Sequence, residues 1–174
     1  MIETNSLSRA AMVFGAREGR IAVNKMTSTN APWHLWLTGL LALLFTAFGC
    51  YDYVMSQLGD RAYIAGAVEP FGIDTDVAVE YFANFPVWAD FVWATGVWGG
   101  LAGSILLLLR SRFALPAYLA SLAGMLVSNA YSFANPIPGL TDNGVAYVAV
   151  AIVFVVMAAL TLYTWSMARR GVLS

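Results

Sequence analysis

Histidine and cysteine are almost missing from this chain, with one residue of each in 174. A single cysteine, Cys50, excludes an intrachain disulfide. A single histidine, His34, excludes a bis-histidine haem or a multi-histidine metal site within one subunit. Charge is also scarce: Asp, Glu, Lys and Arg make up 11% of the residues, against about 25% in an ordinary soluble domain. The net charge of -1 offers no basic face for nucleic acid. The chain has no Gly-rich phosphate loop, nucleophile elbow or spaced set of metal ligands.

What is abundant is apolar. Hydrophobic residues make up 60% of the chain and the mean hydropathy is +0.70. One soluble core of this size cannot bury that much apolar surface, so lipid is the expected solvent. A bilayer core of about 30 Å takes about 20 apolar residues in helix. Four runs qualify, at about 33–56, 86–109, 113–133 and 145–167. The expected fold is an all-α antiparallel four-transmembrane-helix bundle over 31–170, with a long loop at 57–85.

The cations orient it. Arg9, Arg17, Arg20 and Lys25 precede span one, Arg110 and Arg112 separate spans two and three, and Arg169 and Arg170 follow span four. Only Arg61 falls on the other side, and the positive-inside rule then places both termini in the cytoplasm. Asp60, Glu69, Asp74, Asp76, Glu80 and Asp142 fall on the exported face.

Residues 1–25 lack the apolar core of a signal peptide. Two readings compete: 1–30 is a cytoplasmic tail, or translation starts at Met26 and residues 1–25 lie upstream of it. In the long loop, DTDVAVEYFANF reads as a short helix capped by Asp74 or Thr75. Val77, Tyr81 and Phe85 recur at helical spacing and are expected to rest on the membrane surface. Pro136, Pro138 and Gly139 break the chain before span four. The turn Arg110-Ser111-Arg112 is too short for anything but an antiparallel neighbouring pair.

Three constellations are candidates for function. Gly96 with Gly100 and Gly99 with Gly103 form a double GxxxG ridge that suits close helix packing, against another span or another subunit. Trp93 and Trp98 lie deeper than the interfacial tryptophans and are candidates for core packing or for the wall of an aromatic pocket. Asp52, Asp90 and Asn129 lie at similar depth on spans one, two and three, with Tyr131 close by. Ionisable groups within spans tend to face the bundle interior or a water-filled cavity. The four residues therefore mark either a polar site open to the exported side or a solvated interface. His34 reads as interfacial and Cys50 as a small buried hydrophobe.

YDYVMSQ closing span one, and YFANFPVWADFVWATGVWGGLAGSILLLLRSRFALPAYLASLAG after it, resemble a family of small four-span proteobacterial inner-membrane proteins. They occur notably in sphingomonad-like bacteria, and some carry a loose sugar-transporter label. The resemblance covers about 30–170 and implies a bacterial inner-membrane location; it brings no established activity and no functional residues. The N-terminal extension and a longer first loop depart from it.

The leading expectation is a non-enzymatic accessory or structural subunit of a larger membrane complex, or a homo-oligomer. The alternatives are a small transporter or channel-like protein using the polar site, and a quinone- or pigment-binding protein. No cofactor is implied, although bound lipid, quinone or pigment is compatible with the spans. The expected partners are membrane lipids and another protein met through the helices, not nucleic acid.

Overall fold

The computed structural model describes residues 31–140 and 144–173. The tail expected at 1–30 and the acid Asp142 lie outside the described residues. Among the described residues the chain is all-helical. The order is α1 (Trp33–Gln57), α2 (Arg61–Val68), a 3-10 turn (Glu69–Phe71), α3 (Thr75–Ala83), α4 (Val87–Leu108), α5 (Ala114–Ala134) and α6 (Gly144–Arg169).

Among the described residues three helices are long and apolar enough to cross a membrane: Trp33–Gln57, Val87–Leu108 and Tyr147–Arg169. The third expected span, α5, falls short of that standard. The cause lies in its inward face, where Tyr118, Ser121, Gly124 and Ser128 are buried. Its outward face carries Leu119, 52% exposed, and Leu126, 61% exposed. Polar residues inside and leucines outside invert the soluble pattern, and averaging the two faces lowers the hydropathy of the helix.

Helices α4 and α5 form the closest pair. Ser111 N–H donates to Leu106 O at 2.8 Å and Arg110 N–H to Leu107 O at 3.0 Å, the double bond of a Schellman stop. Arg110 holds the left-handed position of that stop, with φ 57°, where glycine is the usual residue. Its Nε donates to Val172 O at 3.2 Å and so ties the end of the chain to this turn. Along the pair, backbone meets backbone. A Cβ on Gly124 would lie 2.6 Å from Gly96 N and 2.8 Å from Val92 O. Gly103 leaves room for the Tyr118 ring, and Gly99 faces Ala117 and Ser121. The glycine ridge is thus used within the chain.

Helix α1 packs on the other side of α4, and α6 closes against them unevenly. None of the described side chains from Gly144 to Val156 is buried, whereas Met157, Leu160, Thr161, Thr164 and Met167 are. His34 Nδ1 and the Tyr163 hydroxyl share a 2.6 Å hydrogen bond that pins α1 to α6 at the end bearing the Arg110 turn. That turn end is closed. The opposite, cap end carries α2 and α3.

The cap has its own small core of Ile64, Val68, Ile73 and Ala78, with Val79, Phe82, Ile137 and Leu140 against it. Asp60 caps α2 by accepting from Tyr63 N–H, and Asp74 caps α3 by accepting from Asp76 and Val77 N–H. The sequence reading has one helix here where two form. The short run Arg61–Val68 shows little periodicity of its own, and only its packing on α3 sets its buried face. Tyr81 and Phe85 turn toward α5: Tyr81 donates to Asn135 O at 2.8 Å, and Phe85 meets Tyr131 edge-on.

Gly124→Ala is expected to destabilise the protein by about 1–3 kcal/mol, because its methyl group collides with backbone. Gly66→Ala, whose Cβ meets nothing within 4 Å, should stabilise α2 by up to about 1 kcal/mol. Equilibrium unfolding in detergent measures both, and a neutral Gly124→Ala would mean that the close approach does not hold the pair.

Candidate functional site

Asp52 and Asn129 each sit five residues from the cap end of their helices, about 8 Å along the axis at 1.5 Å per residue. They meet at one cavity of about 360 Å³ bounded by α1, α4, α5 and α6. Its outer rung is Asp52, Trp93 and Asn129, and its inner rung is Thr46, Gly100, Ser121 and Met157. Between the rungs the walls are apolar, with Phe45, Phe48, Val150 and Val153 prominent. On α6 the cavity is lined by Ala149, Val150 and Val153, in the stretch where none of the described side chains is buried, and by the buried Met157 at its inner end.

Asp90 is not part of it. Neighbours on a helix point about 100° apart, so Asp52 and Tyr53 leave α1 in different directions. Tyr53 goes to α4, where its hydroxyl donates to Asp90 Oδ1 at 3.2 Å, and Gln57 Nε2 donates to the same oxygen. Asp90 also lies in the first turn of α4, where the helix dipole favours a negative charge. It ties the cap ends of α1 and α4 together. Asp52 instead receives the Tyr63 hydroxyl of α2, at 2.8 Å from Oδ1. Tyr131 stands apart as well, edge-on between Phe85 and Trp88 at centroid distances of 5.1 and 5.2 Å.

The two deep tryptophans separate. Trp93 forms the wall between the cavity and an aromatic cluster: Tyr53 meets it edge-on at 4.9 Å and Phe82 stacks on it at 6.0 Å. Trp98, 47% exposed, faces outward on the other side of α4. Together they do not make one aromatic pocket.

A hydroxyl network below the cavity has no counterpart in the sequence reading. Thr46 and Ser104 hydroxyls lie 3.1 Å apart, and Ser104 and Tyr118 hydroxyls 2.9 Å apart. Ser121 donates to Gly96 O. Lone hydroxyls in apolar runs were the available signal, but back-bonding to the preceding turn is their commonest use. Thr46 and Ser104 do that too, to Ala42 O and Gly100 O. Among the described residues no three His, Cys, Asp or Glu side chains gather as a metal site would require.

Comparison with known proteins finds no matching family model, no matching curated protein and no matching solved structure. The geometry therefore carries the functional reading.

Chemically, the cavity offers an apolar slot with a carboxylate and an amide at its outer end and, at its inner end, the hydroxyls of Thr46 and Ser121, both already hydrogen-bonded within the protein. Burial, followed by the hydrogen bond and charge of Asp52, pushes the Tyr63 phenol above its ordinary value of 10.0. A phenol whose folded value is raised contributes stability that is present below pH 10.0 and is lost as pH climbs toward the folded value. Unfolding in detergent across the alkaline range should show stability falling above pH 10.0, with a shallower fall in Tyr63→Phe. At neutral pH that variant should lose about 1.5–3 kcal/mol, the worth of a hydrogen bond to a charged acceptor.

Proposed function

We propose that this chain is a non-enzymatic, four-span accessory protein of a bacterial inner membrane that holds a lipophilic small molecule within its bundle. In this reading α5 also crosses the membrane, as the third of four spans, carried in lipid by its leucine-bearing outer face. The turn end, with Arg110, Arg112, Arg169 and Arg170, lies in the cytoplasm together with both termini. The cap end, with Asp60, Glu69, Asp74, Asp76 and Glu80, faces the periplasm. Membership of the small four-span proteobacterial family is part of the same proposal.

One observation carries the ligand-binding reading. A 360 Å³ cavity with an apolar body and a polar rung, Asp52 and Asn129, lies where α6 is least seated. Binding sites for small lipophilic molecules have this character: mostly apolar walls and a few convergent polar groups. A ligand entering from the periplasmic leaflet would pass between α1 and α6, the two helices joined at the turn end by His34 and Tyr163. The closed turn end supports holding a ligand over passing one through. The glycine ridge lends no support to assembly with another subunit, because the α4–α5 contact uses it.

Two measurements test this. Reporter fusions after Ser174 and within Gly66–Phe71 should show cytoplasmic and periplasmic locations; any other pattern overturns the four-span orientation. Protein extracted in mild detergent should carry about one lipophilic molecule per chain, detected by mass spectrometry of an organic extract. Gly49 lines the cavity and has nothing within 4 Å of a Cβ, so Gly49→Leu should fill the space and lose that molecule. Equal recovery from both proteins would overturn the cavity's role.

A further inference from the structure

Among the described residues, the carboxylate that the cavity presents, Asp52, has no cation paired with it. Asp52 accepts one hydrogen bond from the neutral Tyr63 hydroxyl. Among the described residues one ion pair forms, Arg61 with Asp76, both on the cap surface. Arg110, Arg112, Arg169 and Arg170 all lie at the other end of the bundle. A positive charge is the natural partner for a carboxylate at the mouth of an apolar cavity.

The other polar group on the rung points the same way. Asn129 donates one amide N–H to Met125 O at 2.9 Å, which leaves its carbonyl oxygen, an acceptor, and its second N–H for a ligand. Asp52 and Asn129 together make an acceptor-rich end. A fatty acid or phosphate head would be repelled by Asp52. A quinone, whose carbonyl oxygens require donors, would meet the Asp52 carboxylate on this rung. Phe45, Phe48 and Trp93 line the same space, and aromatic faces attract cations.

We infer that the occupant of this cavity is an amphiphile with an ammonium head, its charge placed against Asp52 and Asn129 and its apolar tail running inward toward Met157. The inference rests on the ligand-binding reading above and adds the class of head group. An amine-headed membrane lipid and a free lipophilic amine share this chemistry.

The test uses Trp93 as a local reporter. Full-length protein in a neutral maltoside detergent is titrated with an ω-bromoalkylamine, with the ω-bromoalcohol of equal chain length, and with phosphatidylethanolamine brominated in its tail. The bromine quenches nearby indoles, and subtraction of the Trp93→Phe variant isolates Trp93. The ammonium compound should quench Trp93 at a concentration about tenfold or more below that of the alcohol, as a charge-assisted hydrogen bond implies. Asp52→Asn should abolish that preference, and Asp52→Glu should restore much of it. Quenching by the brominated lipid as well identifies a membrane source; quenching by the free amine alone identifies a free amphiphile. Equal quenching by amine and alcohol in the unaltered protein overturns the cationic head while leaving the cavity reading intact. If no probe quenches Trp93, or if Gly49→Leu quenches like the unaltered protein, the cavity reading fails and this inference fails with it.

Discussion

Gly96 and Gly124 bring the backbones of α4 and α5 into direct contact, and the rest of the bundle is arranged around that contact. In lipid, apolar surface gains little by leaving its solvent, so helices associate through close packing and hydrogen bonding. Small residues allow both here. Gly103 admits the Tyr118 ring, whose hydroxyl reaches Ser104, and Ser104 reaches Thr46 on α1. Ser121 crosses back to Gly96 O. Three helices are thus locked in register by a glycine contact and a chain of hydroxyls. That register sets Asp52 and Asn129 at one level of the cavity.

The fourth wall obeys a different constraint. Among its described side chains, helix α6 buries those from Met157 onward, where the His34–Tyr163 bond and the tie from Arg110 to Val172 hold the turn end together. Its cap-end half is apolar on every side and is not drawn inward by any buried partner among the described residues. A helix fastened at one end and loose at the other leaves a wedge of space, and the cavity is that wedge. The cap strengthens the arrangement from outside: Tyr63 holds Asp52, Tyr81 holds Asn135, and the Trp93 cluster supports the wall.

Much of the helical layout was legible in the residues. The ends of α1, α4 and α6 fall within a few positions of their hydrophobic runs, because hydropathy measures what lipid requires. Helix α5 was legible as an apolar run, yet its mean hydropathy is diluted by an inward polar face that only its packing explains. The site was half legible. Depth along each helix follows from counting residues, and Asp52 and Asn129, which a count puts at similar depth, line one cavity. Direction around the helix depends on how each helix is rotated against its neighbours, and Asp90 was separated from Asp52 by that rotation. The same rotation parted Trp93 from Trp98. Tyr63 was out of reach of any count, since its role depends on α2 folding back over the end of α1.

By itself, the sequence determined that the chain is helical and apolar enough for lipid, that cations gather at one end and acids at the other, and that glycines line one helix for a close neighbour. These are properties of composition, period and order along the chain. Tertiary structure decided which neighbour the glycines meet, which acid faces the interior, and that a cavity lies between four helices. Those outcomes depend on helix rotation and on packing that is complete at one end and incomplete at the other, and no single segment of the chain encodes either.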